Sequence, residues 1–265
     1  MISVDVIIKA DCDEVCREAT RIILEEWRRK PDLVLGLATG STSLGVYARL
    51  IEAYQDKAVD FSRVRTFNLD EYLGLDETRP HSYAQFMDQN LFAHINIDRA
   101  NVHRLRGKPR DIEAHCADYE AQIKQAGGID VQLLGIGRNG HIGFNEPGSS
   151  LTSRTRAMTL TRETVSDNAR FAGPGESVPR FVLTMGIGTI MEARLILLLA
   201  YGSNKSDAIL RAVEGPVTAS LPGSALQLHP RTTIIADEDA ARLLSRKEYY
   251  RWAYENRDRM TEFLE

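Results

Sequence analysis

The residues best suited to chemistry lie in one stretch, Gly135 to Pro147, which reads Gly-Ile-Gly-Arg-Asn-Gly-His-Ile-Gly-Phe-Asn-Glu-Pro. An apolar run, Val131 to Ile136, leads into it, and Asn139, His141, Asn145 and Glu146 follow. Histidine can give and take a proton near neutral pH. A carboxylate such as Glu146 can fix its orientation and tautomer. The glycines remove Cβ atoms where a backbone must turn or come close to a ligand. The other reading is a solvated glycine turn, and composition alone leaves both open.

Two further constellations carry charge or hydroxyls at the ends of apolar runs. Asp70-Glu71 follows Val64 to Leu69 and offers carboxylates for acid–base work, although paired acids also serve as loop solvation. Thr39-Gly40-Ser41-Thr42-Ser43 stands between an apolar run and an amphipathic helix. Glycine and hydroxyls at a helix start suit anion binding, because free N–H groups and a partial positive charge meet there. The bland alternative is N-capping by Ser41 or Thr42. Gly202-Ser203-Asn204-Lys205 repeats the arrangement and adds a lysine, which would otherwise be an ordinary surface charge. The Walker A pattern is absent.

The elements that must position these residues alternate. Strands are expected at Val4–Ile8, Leu33–Ala38, Val64–Leu69, Val131–Ile136, Leu195–Ala200 and Thr232–Ala236. Helices are expected from Asp11 or Asp13 to Arg29, from Leu44 to Tyr54, over Ser82–Phe92, Ile112–Ala126, Glu163–Phe171 and Ser206–Val213, and through the charged C-terminal stretch. The apolar periodicity of about 3.6 supports the helices. Continuous apolar runs such as Leu195–Ala200 read as strands buried on both faces. The alternation predicts an α/β fold, a mostly parallel sheet with helices on both faces, in a single domain over 1–265. Ligands of such sheets bind beyond the carboxyl ends of the strands. Glycine content and polarity suggest that 139–156 and 163–180 act as a mobile lid.

Composition narrows the classes. Of 265 residues, 43% are hydrophobic and 26% charged, and the formal net charge is -4. A sizeable core is within reach, and a general nucleic-acid binder would be basic. No apolar run nears the roughly 20 residues needed to span a bilayer. The N-terminus lacks the features of a signal peptide. Cys12, Cys16 and Cys116 form no CxxC pair, which fits a reducing cytoplasm better than a disulfide or metal framework.

Four stretches together resemble the glucosamine-6-phosphate deaminase family: Leu37 to Thr42, Phe67-Asn68-Leu69-Asp70-Glu71-Tyr72, Gly135 to Pro147, and Leu226-Gln227-Leu228-His229-Pro230. The likeness spans almost the whole chain. It implies a Rossmann-like domain and a cofactor-free reaction in which glucosamine 6-phosphate and water give fructose 6-phosphate and ammonia. By motif position, the resemblance makes Asp70 the base for the C2 proton and His141 the ring-opening acid–base group. Glu146 is its partner, and Asn139 is also linked to ring opening. It gives the substrate phosphate to Gly40, Ser41, Thr42, Arg170 and Lys205, with no metal ligand.

Two departures stand out. Some members carry aspartate at the position of Asn139, and an amide cannot accept a proton as a carboxylate does, so Asn139 should orient rather than act as a base. Activated members bind N-acetylglucosamine 6-phosphate between subunits partly through an Arg-x-Lys pair. Here Arg156 is present but Met158 replaces the lysine, which predicts weak or absent activation. Monomers and homo-oligomers, from dimers to hexamers, all fit the family, and neither periodicity nor composition selects one. A lactonase on the same fold would need no C2 base. A sugar-phosphate sensor would need no His–Glu pair, and the chain starts at its first strand with no room for a DNA-binding module. A galactosamine 6-phosphate preference is left open, since no residue contacting C4 can be named.

Overall fold

Six-residue runs such as Leu195–Ala200 and Thr232–Asp237 are buried at every position, so their strands need cover on both faces. The computed structural model describes residues 4–168 and 178–257 and provides that cover. Its strands are β1 (Asp5–Lys9), β2 (Val34–Leu37), β3 (Arg65–Asn68), β4 (Asp70–Tyr72), β5 (Val102–His103), β6 (Val131–Gly135), β7 (Arg156–Thr159), β8 (Phe181–Thr184), β9 (Leu195–Ala200) and β10 (Thr232–Asp237). Its helices are α1 (Cys12–Arg29), α2 (Ser41–Gln55), α3 (Tyr83–Asn90), α4 (Ile112–Gln125), α5 (Arg162–Asn168), α6 (Ile187–Ile190), α7 (Ser206–Val213) and α8 (Lys247–Glu255).

Among the described residues, seven strands form one sheet in the order β1-β10-β9-β6-β2-β3-β5, and every pairing in it is parallel. Side chains alternate across it. Leu133 and Leu197 join Tyr47 and Leu50 of α2 and Ala19 of α1 on one face. Leu134 and Leu198 join Tyr119 of α4 and Ile209 of α7 on the other. The expected α/β architecture with helices on both faces is therefore observed. Of the two candidate caps for α1, Asp11 fills the position and accepts from the N–H of Glu14 at 2.9 Å.

One feature differs from the sequence reading. Asp70-Glu71-Tyr72 is buried β4, not the start of a loop, and it belongs to a three-stranded antiparallel sheet, β4-β8-β7. A three-residue strand is too short to show a periodicity, and two acids in a row hide it further. This small sheet encloses Tyr72, Phe144, Leu160 and Val182. It closes one side of the space above the large sheet.

Strand order also locates the crevice. From β2 the chain runs outward through β3 and β5, then returns to β6 on the other side of β2 and proceeds to β9 and β10. β2 and β6 thus flank the point where the winding reverses, and ligands of open α/β sheets bind at the carboxyl ends there.

Candidate active site

A cavity of about 270 Å³ opens above the carboxyl ends of β2, β3, β6 and β9. Six of the residues singled out from sequence line it: Gly40, Ser41, Thr42, Asp70, His141 and Lys205. Asn139 and Glu146 stand behind His141 and reach the cavity through it. Arg170, and the part of the expected lid over 169–177, lie outside the described residues.

One end of the cavity is built from α2. Gly40 occupies the N-cap with φ +105° and supplies no side chain. Neither Ser41 nor Thr42 caps the helix, so the capping alternative fails and both residues line the cavity instead. The helix start adds N–H groups and partial positive charge. Lys205, at the end of a single 3-10 turn (Ser203–Lys205), brings its ammonium across and donates to the carbonyl of Ile136 at 2.7 Å.

The glycine loop builds the other end. Nδ1 of His141 lies 2.7 Å from Oδ1 of Asn139, whose Nδ2 donates to Oε2 of Glu146 at 2.8 Å. Glu146 is buried, and its other oxygen accepts from the N–H and hydroxyl of Thr161 at 3.1 and 3.2 Å. Direct contact between His141 Nδ1 and Glu146 Oε2 is longer, 3.7 Å. Glu146 therefore acts on the ring mainly through the amide of Asn139. Burial holds the imidazole below its usual pKa, the Glu146 charge opposes that effect, and Lys205 adds to it. That direction favours the neutral imidazole. Gly137 packs flat on the ring: a Cβ there would sit 2.2 Å from Cε1 of His141.

Asp70 and Glu71 are neighbours with opposite duties. Glu71 accepts from the N–H groups of Tyr72, Tyr83 and Ala84, each at 2.9 Å, and so caps α3. Asp70 lines the cavity and, among the described residues, accepts only a long bond, 3.3 Å, from the hydroxyl of Thr39. Burial, with the Glu71 charge as a smaller cause, pushes its carboxyl up to about 8. A buried carboxyl facing a cavity with so little compensation is a mark of a functional group.

The sequence reading did not single out several residues around the cavity. Tyr83, the first residue of α3, lines it and donates to the Tyr72 hydroxyl at 3.3 Å. Arg138, Asp167 and Asn168 line it as well. Tyr83 follows a serine cap, Ser82, which was the one signal in the sequence that the helix would start there. Arg138 and Asp167 are 29 positions apart, and no pattern in the chain connects them. His229, within one of the motifs, is structural: it is buried, its Nε2 lies 2.7 Å from the Ala193 carbonyl, and its Nδ1 accepts from Arg231 N–H at 3.1 Å. Among the described residues no group of three or more His, Cys, Asp or Glu could hold a metal, and no helix is long and apolar enough to cross a membrane.

The sequence profile of the family described as glucosamine-6-phosphate isomerases/6-phosphogluconolactonase matches residues 8–235. The chain belongs to that family. A glucosamine-6-phosphate deaminase of Shewanella loihica is 55% identical over 246 residues, covering 93% of this chain and 92% of its own. One from Thermoanaerobacter pseudethanolicus is 50% identical over 239 residues, 90% of this chain and 94% of its own. A solved structure of a monomeric glucosamine-6-phosphate deaminase superposes with TM-score 0.88 at 43% identity, covering 91% of this chain and 100% of the other. A 6-phosphogluconolactonase of Thermotoga maritima shares the fold at 20% identity, with TM-score 0.69 over 89% and 99% of the two chains.

Proposed function

We propose that this chain is a glucosamine-6-phosphate deaminase, converting glucosamine 6-phosphate and water into fructose 6-phosphate and ammonia in amino-sugar breakdown. The observation that carries the reading is Asp70, a buried carboxyl in the same cavity as His141. Hydrolysis of a lactone has no use for a base at C2. The relatives with half or more of their residues in common bear the deaminase name.

The substrate phosphate is held by Gly40, Ser41 and Thr42 at the start of α2 and by Lys205, with Arg170 as a further cation. Anchoring this distant group fixes C1 and C2 for the chemistry. The Nδ1 proton of His141 is committed to Asn139, so Nε2 carries the lone pair. That nitrogen takes the proton of the C1 hydroxyl and returns it to the ring oxygen, opening the sugar to its aldehyde. Asp70 then takes the C2 proton, the electrons move onto the C1 oxygen, and a proton passes from the C2 ammonium to that oxygen, which gives an enolamine. Protonation at C1 yields an imine at C2. Water adds to it and ammonia leaves, so that C2 becomes the ketone.

Asp70 must be ionised for this step, yet its carboxyl holds its proton to about pH 8 in the free cavity. The substrate supplies the remedy. An ammonium within about 4–6 Å lowers a carboxyl pKa by roughly 1–3, and the C2 amine arrives as a cation. Binding thus hands Asp70 the charge it needs.

Regulation by N-acetylglucosamine 6-phosphate is weak or absent. Arg156 is engaged by Asn145 Oδ1 at 2.9 Å, and Met158 packs on the small core around Tyr72 where an activator site would need a cation. Free cysteines, one exposed and two buried, suit the cytoplasm.

The decisive experiment incubates the protein with glucosamine 6-phosphate and measures ammonia and fructose 6-phosphate together. Equal release of both is expected, and absence of both overturns the reading. Galactosamine 6-phosphate in parallel reports the preference at C4.

A further inference from the structure

α5 is tied to both halves of the site. Just before its first turn, Thr161 holds Glu146 through two hydrogen bonds. At its last residue, Asn168 donates to the Tyr72 hydroxyl at 3.0 Å, two positions along β4 from Asp70. Between these ties, Arg138 of the glycine loop grips Asp167 with two parallel bonds, Nε to Oδ2 at 2.9 Å and Nη2 to Oδ1 at 2.6 Å. Glu163, one turn earlier, lies 3.7 Å from the same guanidinium. A two-pronged pair of this kind fixes direction as well as distance. Its side chains are 45% and 36% exposed, and exposed pairs add little to global stability. The importance of the pair lies in where it holds α5.

We propose that Arg138 is a positioning residue: by pinning Asp167 to the glycine loop, it keeps α5 where Thr161 orients Glu146 and Asn168 orients Tyr72. The acid–base end and the C2-base end are then set by one short helix, and one ion pair fixes that helix. The kinetic part of this inference rests on the deaminase reading; the structural part does not.

The test compares wild type with Arg138→Ala, Asp167→Ala and the double variant, with kcat on glucosamine 6-phosphate taken at each protein's own pH plateau. Each single change should lower kcat roughly ten-fold, as a displaced catalytic group does. The double variant should lose no more, because both changes cut one link. Affinity for inorganic phosphate and the thermal midpoint should stay unchanged, while amide hydrogen exchange rises over 161–168 in all three variants. Losses that multiply, a weaker phosphate affinity in Arg138→Ala alone, a lowered midpoint, or unchanged exchange over 161–168 would each overturn the proposal. If wild type releases no ammonia, the deaminase reading falls, and the exchange data still decide the pin.

Discussion

Nδ1 of His141 sits 2.7 Å from Oδ1 of Asn139, and only one proton arrangement satisfies that contact. The amide nitrogen of Asn139 faces Glu146 and donates to its Oε2, which leaves the amide oxygen to face the ring. The proton on the imidazole is therefore on Nδ1. A neutral amide does this work without adding charge. Asn139→Asp should raise the pKa of His141 by about one or more, because a carboxylate beside Nδ1–H favours the imidazolium. An NMR titration of the His141 ring checks it; an unmoved midpoint would separate Asn139 from tautomer control.

Asp70→Asn should lower deamination by roughly 10²–10⁴-fold, the worth of a positioned general base. Phosphate binding should persist. In wild type, kcat/KM should climb with pH toward about 8, where the free-enzyme Asp70 ionises. The acid limb of a kcat/KM profile reads this directly, and a limb centred near the ordinary carboxylate value would contradict it.

The same residue makes a stability prediction. The Asp70 carboxyl titrates at about 8 in the folded protein, against 3.8 for an ordinary aspartate. Across that window the native state binds more protons than the unfolded one, so stability present at low pH is lost as pH rises through it. Asp70→Asn removes the slope. Its advantage over wild type should grow from nothing near pH 4 to a few kcal/mol by pH 8, gaining on the order of 1.4 kcal/mol for each step of one in pH. Urea unfolding at several pH values measures the difference.

Glu71→Ala should behave in the opposite way. It leaves two N–H groups at the start of α3, those of Tyr83 and Ala84, and the Tyr72 N–H in β4 without this acceptor. The expected loss is about 3 kcal/mol, seen as a lower urea midpoint. A variant as stable as wild type would show that α3 does not need this cap.

Gly137→Ala tests the close approach under His141. The new methyl would overlap the imidazole, and the ring is easier to displace than the loop. kcat should fall roughly a hundred-fold, in line with misplacement of a catalytic group by an ångström. Circular dichroism and thermal midpoint should match wild type. Full activity would show that the ring has room to yield.

Much of the fold could be read from the chain because it rests on local patterns. Leu195–Ala200 is apolar at every position, and only a doubly covered strand suits such a run. Ser206–Val213 carries the helical period, and the helix spans those residues. The small antiparallel sheet escaped because β4 pairs with β8 over a separation of more than a hundred positions, Asp70 with Thr184. No local window contains both partners.

At the site, residue types and motif order nominated Asp70, Asn139, His141 and Glu146, since chemistry restricts which side chains can move a proton. What only the tertiary structure decided is how they divide the work. Sequence presents Asp70 and Glu71 as equals; burial and three backbone donors turn Glu71 into a cap and leave Asp70 facing the cavity. Sequence spaces His141 and Glu146 five apart; the turn of the glycine loop sets an amide between them. The pin between Arg138 and Asp167 exists only once α5 folds back over the loop. Hydrogen bonds and desolvation depend on distances in space, and the order of residues along the chain does not contain those distances.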